Sequence, residues 1–277
     1  MADSNAVKSF YENNTRRFLK WGAGRETGVI HREVWGEGVK TKTQALHYCH
    51  DLLIAELPQG HVNPIRVLDL GCGIGSSLIY LCLQAEADLE GVGVTISPLQ
   101  VERARQNARS NGMSQQCSFI EADFSKLPNI GTFDFVYSIE AFVHAPNAVQ
   151  YFEQVSRVLN PGGRLCIIDD ILEATSPEPE IDRFREGWQI GSLCSIAEID
   201  QLAASVGLTT KGDIDLTAYL NLGRPRDWFI KGMLAMPGVN PATSPYIKSL
   251  DGGDALQQCL KNGWVSYRLL TFEKPGQ

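Results

Sequence analysis

The chain has 277 residues, enough for one large domain or two small ones, and its 43% share of apolar residues is typical of a soluble globular protein. Acidic residues outnumber basic ones by 32 to 25, and the net charge of −7 argues against a nucleic-acid partner. No apolar run approaches the ~20 residues of a membrane-spanning helix. The first residues also lack the apolar core of a secretion signal.

The seven cysteines are scattered, and no two of them show the spacing C-x-x-C. Zinc sites and disulfide frameworks depend on such spacings, so neither is predicted and no metal site is assigned. A reducing cytoplasmic compartment is the predicted location.

The N-terminal part, residues 1–60, is predicted to be a helical lid. Apolar residues recur at helical spacing over residues 6–21 and 41–57, on either side of a glycine-rich stretch. Thr43 is the predicted N-cap of the second helix.

The larger part, residues 61–277, begins with short apolar runs that alternate with helical stretches. Runs rich in Val, Ile and Leu predict strands at 65–71, 89–95, 117–123, 133–138 and 163–169, with helices between them. This alternation predicts an α/β fold of the Rossmann-like kind, a mostly parallel sheet with helices on both faces.

The remainder of that domain shows a mixed pattern. A Pro- and Glu-rich connector over 173–182 is followed by a helix over 195–207 and by strands over 208–217 and 263–274, which extend the sheet. An acceptor-binding insertion is predicted at about 176–262, with helices around 224–262 as a lid or a partner surface.

A glycine-rich turn follows the first predicted strand. Gly71, Gly73 and Gly75 lead from the run VLDL into a helix that begins at Ser76. Glycine lets a ligand approach the backbone closely, and this end of a parallel strand is where open sheets bind ligands. The spacing GxGxG differs from the dinucleotide spacing GxGxxG, and no phosphate-binding GxxxxGK[ST] loop occurs.

Three further motifs follow in order: Glu121-Ala122-Asp123 after the third strand, the strand start FDFV, and LNPGG before the fifth strand. With the glycine turn they resemble the class I S-adenosylmethionine-dependent methyltransferases over residues 63–172. The resemblance implies S-adenosylmethionine as cofactor and S-adenosylhomocysteine as product. It assigns the methionine part to Asp69, Gly71 and Gly73, the adenine to Asp123 and Phe124, and the sulfonium surroundings to Ile139.

The second strand departs from many such enzymes, which end it in an acidic residue for the ribose. Thr95 stands in that place, followed by Ile96, and Gln100 is the predicted replacement contact. The pattern GVTxSPxQ is similar to that of tocopherol and sarcosine methyltransferases.

The segment after the fourth strand, YSIEAFVHAP, is similar to the YxIEAxxHAP stretch of sterol C-methyltransferases. This resemblance implies a small hydrophobic natural-product acceptor, with an isoprenoid or sterol-like carbon as the first hypothesis. Methylation of an alkene leaves a carbocation, which needs aromatic faces and then a base. Glu140 and His144 are the candidate bases, and the candidate faces are Tyr11, Trp21, Trp35 and Phe142.

Other hypotheses stay open at this stage. One is N- or O-methylation of an indole alkaloid or another secondary metabolite, and another is a catalytically silent adenosylmethionine-binding module. A prenyl diphosphate acceptor would need a cationic pocket, for which the candidates are Arg16, Arg17, Lys20, Arg25, Arg32, Arg224 and Arg226.

Three smaller questions concern charged groups and assembly. His47 and His50 with Asp51 are read as an ordinary helix surface in preference to a metal site. Asp169-Asp170 is predicted to cap a helix, with contact to an acceptor or to Mg²⁺ as the alternative. A homodimer is possible.

Overall fold

The computed structural model describes residues 28–58, 64–173 and 177–276. Its centre is a seven-stranded sheet in the order β3-β2-β1-β4-β5-β7-β6. All pairings from β3 to β5 are parallel, and β7 runs antiparallel to both of its neighbours. The strands are β1 (Ile65–Leu70), β2 (Leu89–Thr95), β3 (Cys117–Glu121), β4 (Phe133–Ile139), β5 (Leu159–Leu172), β6 (Thr209–Asp215) and β7 (Val265–Glu273).

Eight α-helices surround this sheet in the described part of the chain. They are α1 (Lys42–Ala55), α2 (Ser76–Gln84), α3 (Pro98–Ser110), α4 (Ala148–Val158), α5 (Glu178–Trp188), α6 (Ile196–Ser205), α7 (Pro225–Leu234) and α8 (Pro245–Lys261). None of the helices in the described ranges is long and apolar enough to cross a membrane.

Two apolar clusters cover the two faces of the sheet. Val67 and Phe135 belong to one cluster, together with side chains of α1, α2, α3, α5 and α8. Their chain neighbours Leu68 and Val136 belong to the other, with α4 and α6. Successive residues of a strand point to opposite faces of the sheet. Because the strand side chains are apolar on both faces here, helices are needed on both sides of the sheet to bury them. The predicted Rossmann-like α/β fold is confirmed.

Helix α1 begins with a capping box. The Thr41 hydroxyl accepts a hydrogen bond from the Gln44 amide, and the Gln44 side chain accepts from the Thr41 amide. The predicted N-cap Thr43 is therefore wrong by two residues, because Thr41 is the residue whose reciprocal partner lies three positions later.

The described part of the predicted lid, residues 28–58, packs onto the main domain. Cys49 and Leu53 of α1 are fully buried, and Val34 forms an isolated bridge with Leu220. Residues 1–27 lie outside the described residues, so a lid formed by them stays a prediction.

Residues 177–262 depart from the predicted pattern at the start of α5. Helix α5 begins at Glu178, inside the stretch predicted as a connector, because Pro179 and the acidic residues Glu178 and Glu180 suit the first turn of a helix. Helices α5 and α8 cross closely at a glycine pair: a Cβ at Gly187 would lie 2.5 Å from the Gly252 Cα. Strand β6 joins the sheet as predicted.

Candidate functional site

A cavity of about 920 Å³ opens at the carboxyl ends of the central strands. This volume is at the upper end of the range for small-molecule sites, which is about 300–1,000 Å³, so it has room for a cofactor and an acceptor side by side. One end, the cofactor cleft, is lined by the strand ends and the glycine turn. The other end, the acceptor chamber, is lined mainly by apolar residues of α5, α7 and α8 and of the loop before α7.

The glycine turn shapes the cofactor cleft. Gly71 has φ +88°, and a Cβ there would lie 2.4 Å from the Cβ of Ala141, so no side chain fits between these two strand ends. Gly73 has φ +52°, and a Cβ there would meet only Ile30 at 3.4 Å. The backbone at Gly73 is thus exposed to the cleft, as a ligand lying against it requires.

All nine residues predicted to bind the cofactor line the cavity. Within this set, the Thr95 hydroxyl donates to Oε1 of Gln100 over 2.6 Å, which fixes the two side chains against each other at the end of β2. The set is Asp69, Gly71, Gly73, Thr95, Ile96, Gln100, Asp123, Phe124 and Ile139.

Two acidic side chains occupy opposite parts of the cleft. Asp69 accepts a hydrogen bond of 2.9 Å from the Tyr137 hydroxyl, and burial raises the pKa of Asp69 to about 7. Asp123 caps the single turn Phe124–Lys126 by accepting from the Ser125 amide at 2.8 Å. The residue types at these places fit S-adenosylmethionine: a carboxylate and backbone for the amino acid part, a donor for the ribose, and a carboxylate with an aromatic ring for the adenine.

Glu140 follows β4 in the left-handed region, with φ +49°. Its Oε1 accepts hydrogen bonds from the Arg32 amide at 3.0 Å and from the Arg32 Nε at 2.8 Å. The Tyr267 hydroxyl donates to the same oxygen at 3.0 Å. Burial would raise the pKa of Glu140, but Arg32 and His31 outweigh it and hold the pKa below its ordinary value.

Arg32 connects two strand ends. Its Nη1 and Nη2 donate to the two carboxylate oxygens of Asp170, each at 2.9 Å, while its Nε is bound to Glu140. The guanidinium carbon also lies 4.2 Å from the centre of the Tyr267 ring. Burial disfavours the charged guanidinium, yet the carboxylates of Asp170 and Glu140 raise the pKa of Arg32 well above its ordinary value. Arg32 therefore stays charged and holds both carboxylates.

His144 is the other candidate base, and it lines the cavity in a single helical turn, Phe142–His144. Its Nδ1 lies 3.4 Å from the backbone oxygen of Gln189, and donation to this oxygen places the proton on Nδ1. Burial lowers the pKa of His144 to about 4. The imidazole is therefore neutral near pH 7 and able to accept a proton.

Of the four aromatic residues predicted to contact the acceptor, Phe142 and Trp35 do not line the cavity. Phe142 is fully buried and packs edge-on against Tyr151 at 5.0 Å, so the prediction that it contacts the acceptor is wrong. Trp35 is not among the cavity-lining residues; its amide donates to Tyr219 and its indole to Glu33. Tyr11 and Trp21 lie outside the described residues. The aromatic side chains that line the acceptor chamber are Trp188, Phe229 and Tyr246.

The candidate cations of a diphosphate site can be placed only in part, because Arg16, Arg17, Lys20 and Arg25 lie outside the described residues. Arg32 is held by Glu140 and Asp170. Arg224 lies 3.8 Å from Glu33 and 3.7 Å from Asp227, and Arg226 lies 3.4 Å from Asp227. Each of these guanidinium groups already faces a carboxylate.

Asp169 and the histidines have structural partners. Asp169 accepts from the Val143 amide at 3.1 Å, within the turn Phe142–His144, whereas Asp170 binds Arg32. Both carboxylates also line the cavity, so a helix cap and a contact with the acceptor both stay predictions. The prediction that His50 lies on an ordinary helix surface is wrong: His50 is fully buried and bonds to His31 and His47. Within the described ranges, no group of three or more His, Cys, Asp or Glu could hold a metal ion.

The fold and the cleft together define an α/β enzyme that holds a small organic cofactor against a glycine turn, beside a separate apolar chamber. Comparison with known proteins gives the family. Residues 61–204 match the model of a family described as a methyltransferase domain, and the chain belongs to the S-adenosylmethionine-dependent methyltransferases.

Two relatives and one solved structure illustrate the range of this family. The chain is 32% identical over 184 residues to O-methyltransferase rstn1 of Aspergillus nomiae, covering 65% of this chain and 80% of the relative. It is 32% identical over 247 residues to 24-methylenesterol C-methyltransferase 2 of Oryza sativa subsp. japonica, covering 80% and 63%. A geranyl diphosphate methyltransferase in complex with GPP and sinefungin superposes with a TM-score of 0.74 at 18% identity, over 98% of each chain.

Arg32 is the main site residue that sequence reasoning missed, since it was considered only as part of a phosphate-binding cluster. Its partners Glu140 and Asp170 lie 108 and 138 residues away. The sequence does contain a signal for such a cation. Glu140 and Asp170 follow neighbouring predicted strands, so their carboxylates lie at the same edge of the sheet. Two buried carboxylates at one place need a buried cation as partner.

Proposed function

We propose that the protein transfers a methyl group from S-adenosylmethionine to a carbon of a small hydrophobic natural product of isoprenoid or sterol-like type. The observation that carries this proposal is the apolar acceptor chamber, which adjoins the cofactor cleft and includes Leu220, Leu222, Ile230, Met233, Leu250, Leu256 and Leu260. Such a lining favours an acceptor that gains free energy by leaving water.

Bound S-adenosylmethionine would supply an electrophilic methyl on a sulfonium. The chain's residues align and dehydrate the reactants, and this supplies much of the rate of such a displacement. Ile139 and Ala141, at the end of β4, border the place where cleft and chamber meet. The alkene π pair forms the new carbon–carbon bond as the carbon–sulfur bond breaks, and the acceptor is left as a carbocation.

His144 is the base in this proposal, in preference to Glu140. Oε1 of Glu140 is engaged by three donors, two from Arg32 and one from Tyr267, and its pKa is lowered. Nε2 of the neutral His144 takes a proton from the carbon next to the cation, which restores an alkene. Glu140 keeps its charge and offsets the positive charge of the cation.

O-methylation is the second candidate. The relative rstn1 is named as an O-methyltransferase, and a neutral imidazole at the cavity wall suits removal of a hydroxyl proton as well. The chemistry at His144 is the same in both cases, whereas the labelled atom in the product differs.

The test is to incubate the protein with methyl-labelled S-adenosylmethionine and a panel of terpenoid, sterol, indole and phenolic acceptors, and to locate the label by NMR. A label on carbon is expected; a label on oxygen would favour the second candidate, and a label on nitrogen would contradict both. His144→Gln should lower kcat about 100-fold while the cofactor's Kd stays unchanged. Unchanged turnover in this variant would remove His144 as the base.

A further inference from the structure

Helix α7 is exposed to solvent to an unusual degree. None of its ten residues is buried. Four large apolar side chains of α7, of the segment after it and of the first turn of α8 are exposed, namely Trp228 at 68%, Phe229 at 71%, Met236 at 55% and Tyr246 at 45%. These four residues are called the α7 face below. Clustered exposed apolar side chains of this size mark an interaction surface.

Basic residues accompany the α7 face. Residues 220–250 contain one acidic residue, Asp227, against the four basic residues Arg224, Arg226, Lys231 and Lys248. The whole chain, by contrast, carries a net charge of −7. Arg226 and Lys231 are exposed on α7 itself. Arg224 and Arg226 lie beside Asp227, and Lys248 is paired with Glu186 at 3.0 Å. Lys231 has no ion pair within the described ranges, so it is the exposed cation beside these apolar side chains that can meet an anionic partner.

The α7 face is also continuous with the acceptor chamber. Phe229 and Tyr246 are exposed, yet both line the cavity. Ile230 and Met233, on the inner side of α7, line it as well. A partner that covers the α7 face would thus also cover the mouth of the chamber.

We infer that the α7 face docks on the surface of a lipid bilayer that contains anionic lipids. Trp and Tyr with long apolar side chains insert at the headgroup boundary, and neighbouring Lys and Arg are attracted by the negative surface potential. A second copy of the chain fits this face less well, because the basic residues of the two copies would repel each other.

Docking of this kind would connect the chamber with the membrane. This consequence rests on the proposed function: an isoprenoid or sterol-like acceptor partitions into the bilayer, and it could pass between Phe229 and Tyr246 into the chamber without crossing water. The docking itself does not depend on methyl transfer and can be measured without an acceptor.

The experiment is flotation of the full chain with vesicles of phosphatidylcholine alone or of phosphatidylcholine mixed with phosphatidylserine. Binding to the mixed vesicles, weakened by salt, is expected. The double variant Trp228→Glu/Met236→Glu, whose two positions do not line the cavity, should lower the vesicle-bound fraction at least about tenfold. Lys231→Glu should lower it about fivefold.

Matched controls come from other exposed positions. Val149→Glu changes an apolar side chain that is 45% exposed on α4, and Lys40→Glu reverses an exposed charge before α1; neither should change flotation. Circular dichroism and cofactor affinity check that every variant is folded.

Three results would overturn the inference: no flotation of the wild type, equal flotation of the double variant, or equal binding to both kinds of vesicle. Sedimentation velocity adds a fourth. If the wild type does not float but forms a dimer that Trp228→Glu/Met236→Glu dissociates, the α7 face is a self-association surface instead.

Discussion

The two ends of the cavity are built in different ways. At the cofactor cleft, the strand ends pack so closely that a Cβ added at Gly71 would lie 2.4 Å from that of Ala141, and Arg32 joins two strand ends by ion pairs with Glu140 and Asp170. At the acceptor chamber, α7 contributes no buried residue, and its Phe229 side chain faces both the cavity and solvent. A rigid end suits one invariant cofactor, and an open end can change its lining without unfolding the domain.

The sharpest test of the rigid end is Gly71→Ala. The new methyl would overlap Ala141, and the residue would have to keep φ +88°, so we expect the free energy of unfolding to fall by about 4 kcal/mol. Urea unfolding and calorimetry with S-adenosylmethionine measure the loss of stability and of binding. Gly112→Ala is the matched control, since Gly112 also has positive φ (+72°) but nothing within 4 Å of its Cβ. Equal losses in both variants would contradict the overlap.

Arg32→Met tests the ion pairs of the same end. It leaves the carboxylates of Glu140 and Asp170 buried without their cation, and we expect a loss of about 3 kcal/mol in the free energy of unfolding at pH 7. In the wild type, Arg32 lowers the pKa of Glu140, so this carboxylate's contribution to stability is lost as the pH falls through its folded pKa. In Arg32→Met, the free energy of unfolding should not show this decrease at acid pH. Arg66→Met, at a half-buried arginine that bonds to the backbone oxygen of Thr132, serves as the control.

His144, a buried residue of the cavity wall, should be visible in the pH dependence of stability. Burial lowers its folded pKa to about 4 from 6.5, so its contribution is present above pH 6.5 and is lost as the pH falls toward 4. The wild type should lose about 3 kcal/mol across this window through His144, and His144→Gln should not. Because burial also lowers the pKa values of His31 and His50, only the difference between the two curves is diagnostic. Parallel curves of stability against pH for the wild type and His144→Gln would contradict the lowered pKa of His144.

Asp123→Ala addresses the adenine end of the cleft with a smaller effect. Loss of a carboxylate contact should raise the Kd for S-adenosylmethionine about tenfold. Glu121→Ala, two residues earlier on the same strand end and outside the cavity lining, should leave it unchanged. Equal calorimetric affinity of the wild type and Asp123→Ala would refute the assignment.

The smallest structural effect is expected at the open end. Phe229→Ala removes a side chain that is 71% exposed, so the free energy of unfolding should change by less than about 0.5 kcal/mol. Because Phe229 lines the acceptor chamber, KM for the acceptor should rise while the Kd for the cofactor stays constant. A stability loss as large as that of Gly71→Ala would remove the contrast between the two ends.

This contrast also explains which parts of the molecule could be predicted from sequence. The five parallel strands follow from short apolar runs, and the cofactor cleft follows from local motifs at the strand ends. The direction of Phe142 could not be read in this way, because one helical turn rotates it into the core two residues after Glu140. The acceptor chamber depends on how α5, α7 and α8 pack, and that packing has no local sequence signature.

Arg32 stands close to the beginning of the described chain and bonds to the ends of β4 and β5. It therefore acts as a mechanical tether: the N-terminal segment cannot be pulled away beyond this residue without disconnecting Glu140 from Asp170. Chain shortening that stops before Arg32 leaves this tether in place, whereas shortening past it leaves Glu140 and Asp170 without the cation that joins them.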